Sequence, residues 1–290
     1  MSGLRHLPFA VRLRVPVMGV VERHGLLVEG PAGWGEFSPL PTWSAAEVAA
    51  ARAAADEAAT RPFPAPERDQ VVVNAMVPRL PPDAAARLAV ASGCGTLKVK
   101  VGDELSEDRV AAVRSALGPG VRLRLDANGT WEVETALRAL RRLARFDIEL
   151  VEDPVASMED LAALRRRSPV PVAAEMCLRT VDDAHRLRRL QAADAVVLKP
   201  QRLGGVGAAL MAAEIAAVPA IASSALETSV GLAAVLAVAA ALPDTPWAHG
   251  VGTALLLAGD VSADPLLPVA GRLRPRRVSP DPALLAATPA

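Results

Sequence analysis

From about residue 70 onward the chain repeats one pattern. A short apolar run rich in β-branched residues is followed by a polar or glycine-bearing turn and then by an Ala/Leu/Arg stretch of helical period. The apolar runs are Val71–Val77, Thr96–Val101, Val121–Leu125, Ile148–Val151, Val170–Ala174, Ala195–Leu198, Pro219–Ala222 and Trp247–Val251. Segments of helical period separate them, among them Ser106–Leu117, Glu132–Arg145, Met158–Arg167, Val181–Leu190, Val206–Ala217 and Ser229–Leu242. Strands alternating with helices describe βαβ units and a parallel sheet. Eight such units over 69–258 predict a (β/α) barrel of the modified TIM type rather than an open doubly wound sheet. An open sheet should carry a G-x-G-x-x-G turn after its first strand, and none is present.

The first 68 residues read differently. Val11–Val17, His24–Glu29 and Gly33–Glu36 predict short antiparallel strands, Ser44–Ala59 an Ala-rich helix, and Pro62, Pro64 and Pro66 a linker. This predicts a small N-terminal α+β capping domain over 1–68, with the proline-rich stretch 259–290 packing back on it.

Composition narrows the partners. The 290 residues carry 32 Lys+Arg against 32 Asp+Glu, which leaves no basic footprint for nucleic acid or an acidic membrane surface. The longest apolar run, Val230–Pro243, is too short to span a bilayer. Two cysteines, Cys94 and Cys177, cannot form a disulfide framework, and the N-terminus shows no signal-peptide pattern. A cytoplasmic enzyme acting on a small molecule is the expectation. Lysine occurs only at Lys98, Lys100 and Lys199, every other cation being arginine. Arginine cannot give up its proton in a protein and lysine can be tuned to do so, which marks those three positions.

Polar residues stand at the carboxyl ends of successive predicted strands: Lys100, Asp126, Glu152, Glu175, Lys199 and Ser223, spaced 23 to 26 residues apart. That spacing is one βα unit, so each returns to the C-terminal rim, where barrels of this kind build their sites. Asp126, Glu152 and Glu175 end adjacent strands, and three carboxylates so close repel unless a cation sits among them. An all-oxygen set without His or Cys favours Mg2+ or Mn2+. Neutralisation by Arg122 and Arg124 is the alternative, and Arg124, on the face of Asp126, could instead support it. Lys100 and Lys199 end strands four apart and face each other across the mouth, with Lys98 one layer below Lys100. A second ammonium and a dication nearby would make Lys100 less basic, suited to removing a proton α to a carboxylate through an enediolate.

Weaker features leave alternatives open. Gly204–Gly207 could cradle a phosphate or simply turn the chain into its helix. Ser223 and Ser224 could bind a substrate carboxylate or cap the next helix. His249 and Gly250 could line the pocket or pack the core. Cys177 reads as a small buried filler, since no histidine is placed to activate it.

The motifs TLKVKVG, RLDANG, LVEDP, AAEM and VVLKP together resemble the enolase superfamily, in which a Lys base works with Mg2+ on an enediolate, and its muconate-lactonising branch in particular. Within that branch GLLVEGPAGWGEFSPLP and SSALETSVGLA are most similar to the o-succinylbenzoate synthase family in its short high-GC bacterial form. The resemblance implies a lyase of menaquinone biosynthesis that dehydrates 2-succinyl-6-hydroxy-2,4-cyclohexadiene-1-carboxylate to 2-succinylbenzoate with Mg2+. It implies Lys100 as base and then acid, Lys199 and Lys98 as electrostatic partners, and Asp126, Glu152 and Glu175 as metal ligands. Ser223, Ser224 and Gly250 are then expected at the substrate, and Asn128 and Arg124 behind the ligands. Val17–Gly25 matches the loop that closes over substrate. The chain departs from the pattern at AAEM, where the branch shows Ala-Asp-Glu-Ser: Glu175 is one methylene longer than the usual ligand, and Met176 replaces the next acid. The same scaffold also serves N-succinylamino acid racemases and dipeptide epimerases, and a catalytically silent ligand-binding barrel is the alternative of another class.

Overall fold

The computed structural model of the chain describes residues 4–286, so the outermost positions of both expected terminal spans, 1–3 and 287–290, lie outside the described residues. The N-terminal strands are longer than their apolar cores suggest. β1 (Arg5–Val17) and β2 (Val20–Gly30) form an antiparallel hairpin joined by Met18 and Gly19, both at positive φ. Two left-handed residues give the primed turn whose twist suits a two-residue hairpin. β3 (Gly33–Phe37) pairs with β2, and α1 (Ala45–Thr60) lies against this three-stranded sheet. Ser44 and Glu47 close a capping box at the start of α1, satisfying donors that the first turn would otherwise leave free.

A seven-stranded parallel sheet follows. Its strands are β5 (Asn74–Val77), β6 (Thr96–Lys100), β7 (Arg122–Asp126), β8 (Ile148–Glu152), β9 (Val172–Ala174), β10 (Ala195–Leu198) and β11 (Ala220–Ala222), paired in chain order. Between them run α2 (Pro82–Ala91), α3 (Ser106–Leu117), α4 (Val133–Leu143), α5 (Met158–Arg165), α6 (Val181–Leu190), α7 (Pro200–Leu203) and α8 (Val206–Ala216). α9 (Ser229–Ala241) follows the last strand and is apolar on every face, because it is buried almost throughout. Outward-facing residues such as Leu97, Val99, Leu123, Leu125 and Val151 join the helices in the main core. A smaller cluster of Leu150, Ala173, Ala195, Val197 and Ile221 fills the inside of the barrel.

The eighth expected strand, Trp247–Val251, is not a strand. The segment makes single bridges, His249 to Val73 and Gly250 to Ser223. It nonetheless joins the two edges of the sheet: Asn74 N–H donates to His249 O at 2.9 Å and Gly250 N–H to Ala222 O at 2.8 Å. Trp247 and His249 are held by side-chain packing and an imidazole bond, so a full ladder is not needed to close the ring. α2 is an element the apolar pattern did not single out.

Past the barrel, β12 (Arg272–Leu273) pairs with β4 (Val71–Val72), and α10 (Pro282–Ala286) ends the described chain. Arg277 donates to Ala58 O at 2.8 Å and to Arg61 O at 2.7 Å, which ties this return to the end of α1. No helix among the described residues is long and apolar enough to cross a membrane.

Candidate active site

The parallel register sets the floor of the site. Lys98 lies opposite Arg124, and Lys100 opposite Asp126, which in turn lies opposite Glu152. All of these project to the inside, alternate residues of each strand facing the core between sheet and helices. Glu175 and Lys199 follow directly on β9 and β10, so the chemistry-bearing side chains come from the carboxyl ends of five neighbouring strands. Lys98, Lys100, Asp126, Glu152 and Glu175 are all buried.

The ammonium groups interleave with the carboxylates. Lys100 Nζ donates to Asp126 Oδ2 at 2.6 Å and to Asn128 Oδ1 at 2.9 Å. Lys98 Nζ lies 3.0 Å from both oxygens of Glu152 and 3.2 Å from Asp126 Oδ2. Across the mouth, Lys199 Nζ donates to Glu175 Oε2 at 2.7 Å. Burial pulls the Lys98 ammonium down, but Glu152 and Asp126 outweigh it and hold Lys98 above its ordinary value. Lys199 is raised in the same way, by Glu175 against burial. Lys100 goes the other direction: burial lowers it, the charge of Lys98 adds to the effect, and Asp126 only partly opposes it. Of the three lysines, Lys100 is therefore the one whose neutral form is most accessible. Burial raises the Asp126 carboxyl, yet Lys100 and Lys98 hold it well below the usual carboxylate range. Glu152 is raised by burial and by the like charge of Asp126, despite Lys98 beside it.

Two residues that sequence reasoning passed over complete the acidic side. Asp153, at positive φ, accepts Glu175 N–H at 2.9 Å and Met176 N–H at 3.0 Å, one bond on each carboxylate oxygen. The left-handed backbone lets two consecutive acids, Glu152 and Asp153, both turn inward. Arg202, on α7, donates to Glu175 Oε1 at 2.6 Å. The signals were available: Asp153 adjoins a predicted ligand, and Arg202 lies one helical turn past Lys199.

Among the described residues, Glu152, Asp153 and Glu175 form the group whose carboxylate oxygens lie within 4.8 Å of one another. Two of the three expected ligands are thus brought together, with Asp153 in the third place, while Asp126 lies one strand away, bonded to both lysines. Buried, all-oxygen and mutually repelling, this donor set fits a hard divalent cation.

The remaining expectations fall as follows. Ser223 and Ser224 are buried at the end of β11, and Ser224 Oγ donates to Gly250 O at 3.1 Å and pairs with Thr253 Oγ1 at 2.6 Å. Neither caps α9, whose N-cap is Thr228. Arg124 does not reach Asp126 by a hydrogen bond: it donates to Glu149 Oε2 at 2.5 Å and to Ala248 O at 2.6 Å. Glu149 is the residue skipped where the β7–β8 register shifts, which turns it inward beneath Arg124. His249 Nδ1 accepts Ala222 N–H at 3.0 Å, and burial, aided by Arg68 and Arg124, pushes the ring down to about 3. The ring is uncharged at neutral pH, its one proton on Nε2. The Gly204–Gly207 turn carries no phosphate cradle: Glu57 of α1 occupies it, accepting Gly207 N–H at 3.1 Å, and an added Cβ at Gly205 would overlap that carboxylate. The Cys177 thiol is pushed up to about 12 by burial and by Asp153, and is inert. Val17 to Glu22 at the hairpin tip, with Leu40 to Thr42 and Leu226, surround a cavity of about 380 Å³ between the cap and the loop after β11.

Two family models match the chain, "Enolase N-terminal domain-like" over residues 6–59 and "Enolase C-terminal domain-like" over 82–280. The chain belongs to the enolase superfamily. Among curated superfamily members, an o-succinylbenzoate synthase of Thermobifida fusca (strain YX) is 52% identical over 275 residues, covering 93% of this chain and 87% of the relative. One from Mycobacterium tuberculosis (strain ATCC 25177 / H37Ra) is 45% identical over 288 residues, covering 96% and 86%. The fold is shared more widely in the superfamily. The muconate lactonizing enzyme from Pseudomonas fluorescens superposes with a TM-score of 0.85 at 20% identity, covering 98% of this chain and 97% of that one. The L-Ala-D/L-Glu epimerase from Bacillus subtilis superposes with a TM-score of 0.82 at 23% identity, covering 96% of each.

Proposed function

We propose that this superfamily member is an Mg2+-dependent o-succinylbenzoate synthase, a cytoplasmic lyase acting on a small carboxylate. The observation that carries this is the 52% identity with a synthase over nearly the whole chain. The buried lysine and carboxylate groups at the barrel mouth supply the chemistry that reading requires.

In this reading Lys100 Nζ takes the proton from the ring carbon α to the substrate carboxylate, and the C–H electron pair moves into that carboxylate to give an enediolate. The pair then returns to the ring as the neighbouring C–O bond breaks. The hydroxyl leaves from the same face with the proton that Lys100 now carries, so the products are 2-succinylbenzoate and water. A divalent cation held by Glu152, Glu175 and Asp126, with Asp153 behind them, would supply positive charge to the substrate carboxylate as its second negative charge develops. Asn128 Oδ1 orients Lys100, an acceptor that remains whether Lys100 is charged or neutral. Lys98 stays an ammonium between Glu152 and Asp126, and its field keeps Lys100 from holding a proton too tightly. Lys199 faces the forming aromatic ring as a cation and stabilises the enediolate from the opposite side. Ser223, Ser224 and Gly250 line the substrate side, and Arg124 supports the barrel floor below.

The test follows the diene absorbance of the cyclohexadiene carboxylate on addition of protein and Mg2+. Rapid loss that EDTA abolishes is the expected result. Lys100→Arg should lower kcat at least 10³-fold, roughly the upper part of the general acid–base contribution, with the thermal midpoint unchanged. Retained turnover would remove Lys100 from its role. Full metal binding without any loss of diene would transfer the reading to racemisation or epimerisation.

A further inference from the structure

Among the described residues the cap domain reaches the carboxylate cluster of the barrel through the Arg202 guanidinium, with Arg179 Nε more loosely placed, 3.7 Å from the same cap carboxylate, Glu47. Glu47, in the first turn of α1, is 5% exposed. Its Oε2 accepts Ser44 N–H at 2.8 Å and Ser44 Oγ–H at 2.7 Å, so the capping box fixes where the carboxylate stands. Its other oxygen, Oε1, accepts Arg202 Nε–H at 2.5 Å and lies 2.5 Å from Nη2 as well. The remaining arm of Arg202, Nη1, donates to Glu175 Oε1 at 2.6 Å, while Lys199 holds Glu175 Oε2 at 2.7 Å. Arg202 itself is 8% exposed, so water does little to screen either contact.

Both oxygens of Glu175 are thereby engaged by cations of the protein. A divalent cation taking Glu175 as a ligand must compete with Arg202 for Oε1, and the strength of that competitor depends on what else the guanidinium holds. With an ionised Glu47 gripping its Nε and Nη2 edge, the guanidinium is neutralised from the cap side and pinned in place. Without it, the whole charge of Arg202 faces Glu175. We propose that Glu47 is a positioning residue that offsets the charge Arg202 presents to Glu175, so that docking of the cap on the barrel and divalent-cation binding at the barrel mouth strengthen each other. Such linkage is reciprocal: whatever the cap contributes to cation binding, the cation returns to cap docking. The inference rests on reading Glu175 as a ligand.

Calorimetric titration of Mg2+ into the substrate-free full chain tests it, without any assumption about the substrate. Glu47→Gln retains the capping box, since glutamine serves at that position too, and removes only the charge. Its Mg2+ Kd should rise roughly tenfold, inside the range of coupling between linked sites. In an Arg202→Met background the same change should move Kd less than about twofold, because the route through the guanidinium is gone. Should Arg202→Met fail to fold, Arg202→Gln keeps polar contacts at both ends without the charge, and the Glu47→Gln effect should again disappear. Equal Kd values for wild type and Glu47→Gln, or equal weakening in both backgrounds, would overturn the proposal. Glu175→Gln separates the two readings. If it binds Mg2+ as wild type does, Glu175 is no ligand and both fall; if it loses Mg2+ while Glu47→Gln does not, only the cap linkage falls.

Discussion

Gly250 shows how a single missing side chain shapes the mouth of the barrel. A Cβ built there would meet Ser223 Oγ at 2.5 Å and Ser223 Cβ at 3.0 Å. Gly250→Ala must therefore push the Ser223 side chain aside, in a core region where overpacking costs about 1–3 kcal/mol. If Ser223 and Ser224 hold substrate, steady-state kinetics of this variant should show KM raised severalfold with kcat changed far less; an unchanged KM would separate the serines from substrate binding. Residue identities were legible where a strand end repeated in phase, as Lys100, Asp126, Glu152, Glu175 and Lys199 did. The partners that hold them were marked only by lying close in sequence to those residues, which does not fix their direction. Asp153 faces inward only because its φ is positive, and Arg202 meets Glu175 only because α7 begins directly after Lys199. Neither fact is written in residue type or spacing.

At the scale of elements, the N-terminus of α9 is where the cap enters the barrel. Thr228 makes no side-chain cap of its own. Glu36 of β3 takes its place, accepting Thr228 N–H and Gly231 N–H, the latter at 3.0 Å, together with the Thr228 hydroxyl. Asp260 accepts Ser229 N–H at 3.1 Å from the other side. Two carboxylates from outside the barrel thus answer the free donors and positive end of a buried helix. Burial nevertheless raises Glu36 to about 7, against the hydrogen bonds of Ser38 and Thr228 that lower it. Its folded value stands above the unfolded one of 4.5, so the native state keeps a proton that the unfolded chain has lost. The stabilisation from this group is full below pH 4.5 and is lost as pH rises through 7, on the order of 3 kcal/mol in all. Thermal midpoints measured from pH 5 to 7.5 should fall more for wild type than for Glu36→Gln. The difference between the two curves isolates Glu36, because His249, depressed to about 3, contributes with the opposite sign over part of the range. Parallel curves would assign the pH response elsewhere. The alternation of apolar runs and helical segments predicted seven of the barrel strands well, since each is a buried run with polar ends. It misread Trp247–Val251 because closure there uses single bridges to Val73 and Ser223, for which an apolar run is necessary but not sufficient.

For the whole molecule, the charges at the barrel mouth nearly cancel without any added ion. Lys98, Lys100, Lys199 and Arg202 stand against Asp126, Glu152, Asp153 and Glu175, and the ion pairs between them run from 2.6 to 3.2 Å. A chain whose buried carboxylates had no internal cations would depend on a metal to fold, as small metal-nucleated domains do. This one has an extensive core on both sides of its sheet and its own cations in place, so folding and metal binding are separable. EDTA-treated protein should unfold cooperatively at a midpoint typical of a mesophilic domain. Mg2+ at a hundred times its Kd should then add about 2.7 kcal/mol by mass action, a rise of roughly 5–10 °C for a chain of this size. Scanning calorimetry over a series of Mg2+ concentrations checks both halves. A non-cooperative melt without metal would mean that the internal ion pairs do not suffice, and a midpoint indifferent to Mg2+ would mean that lysines and arginine hold the carboxylates too firmly for a cation to enter.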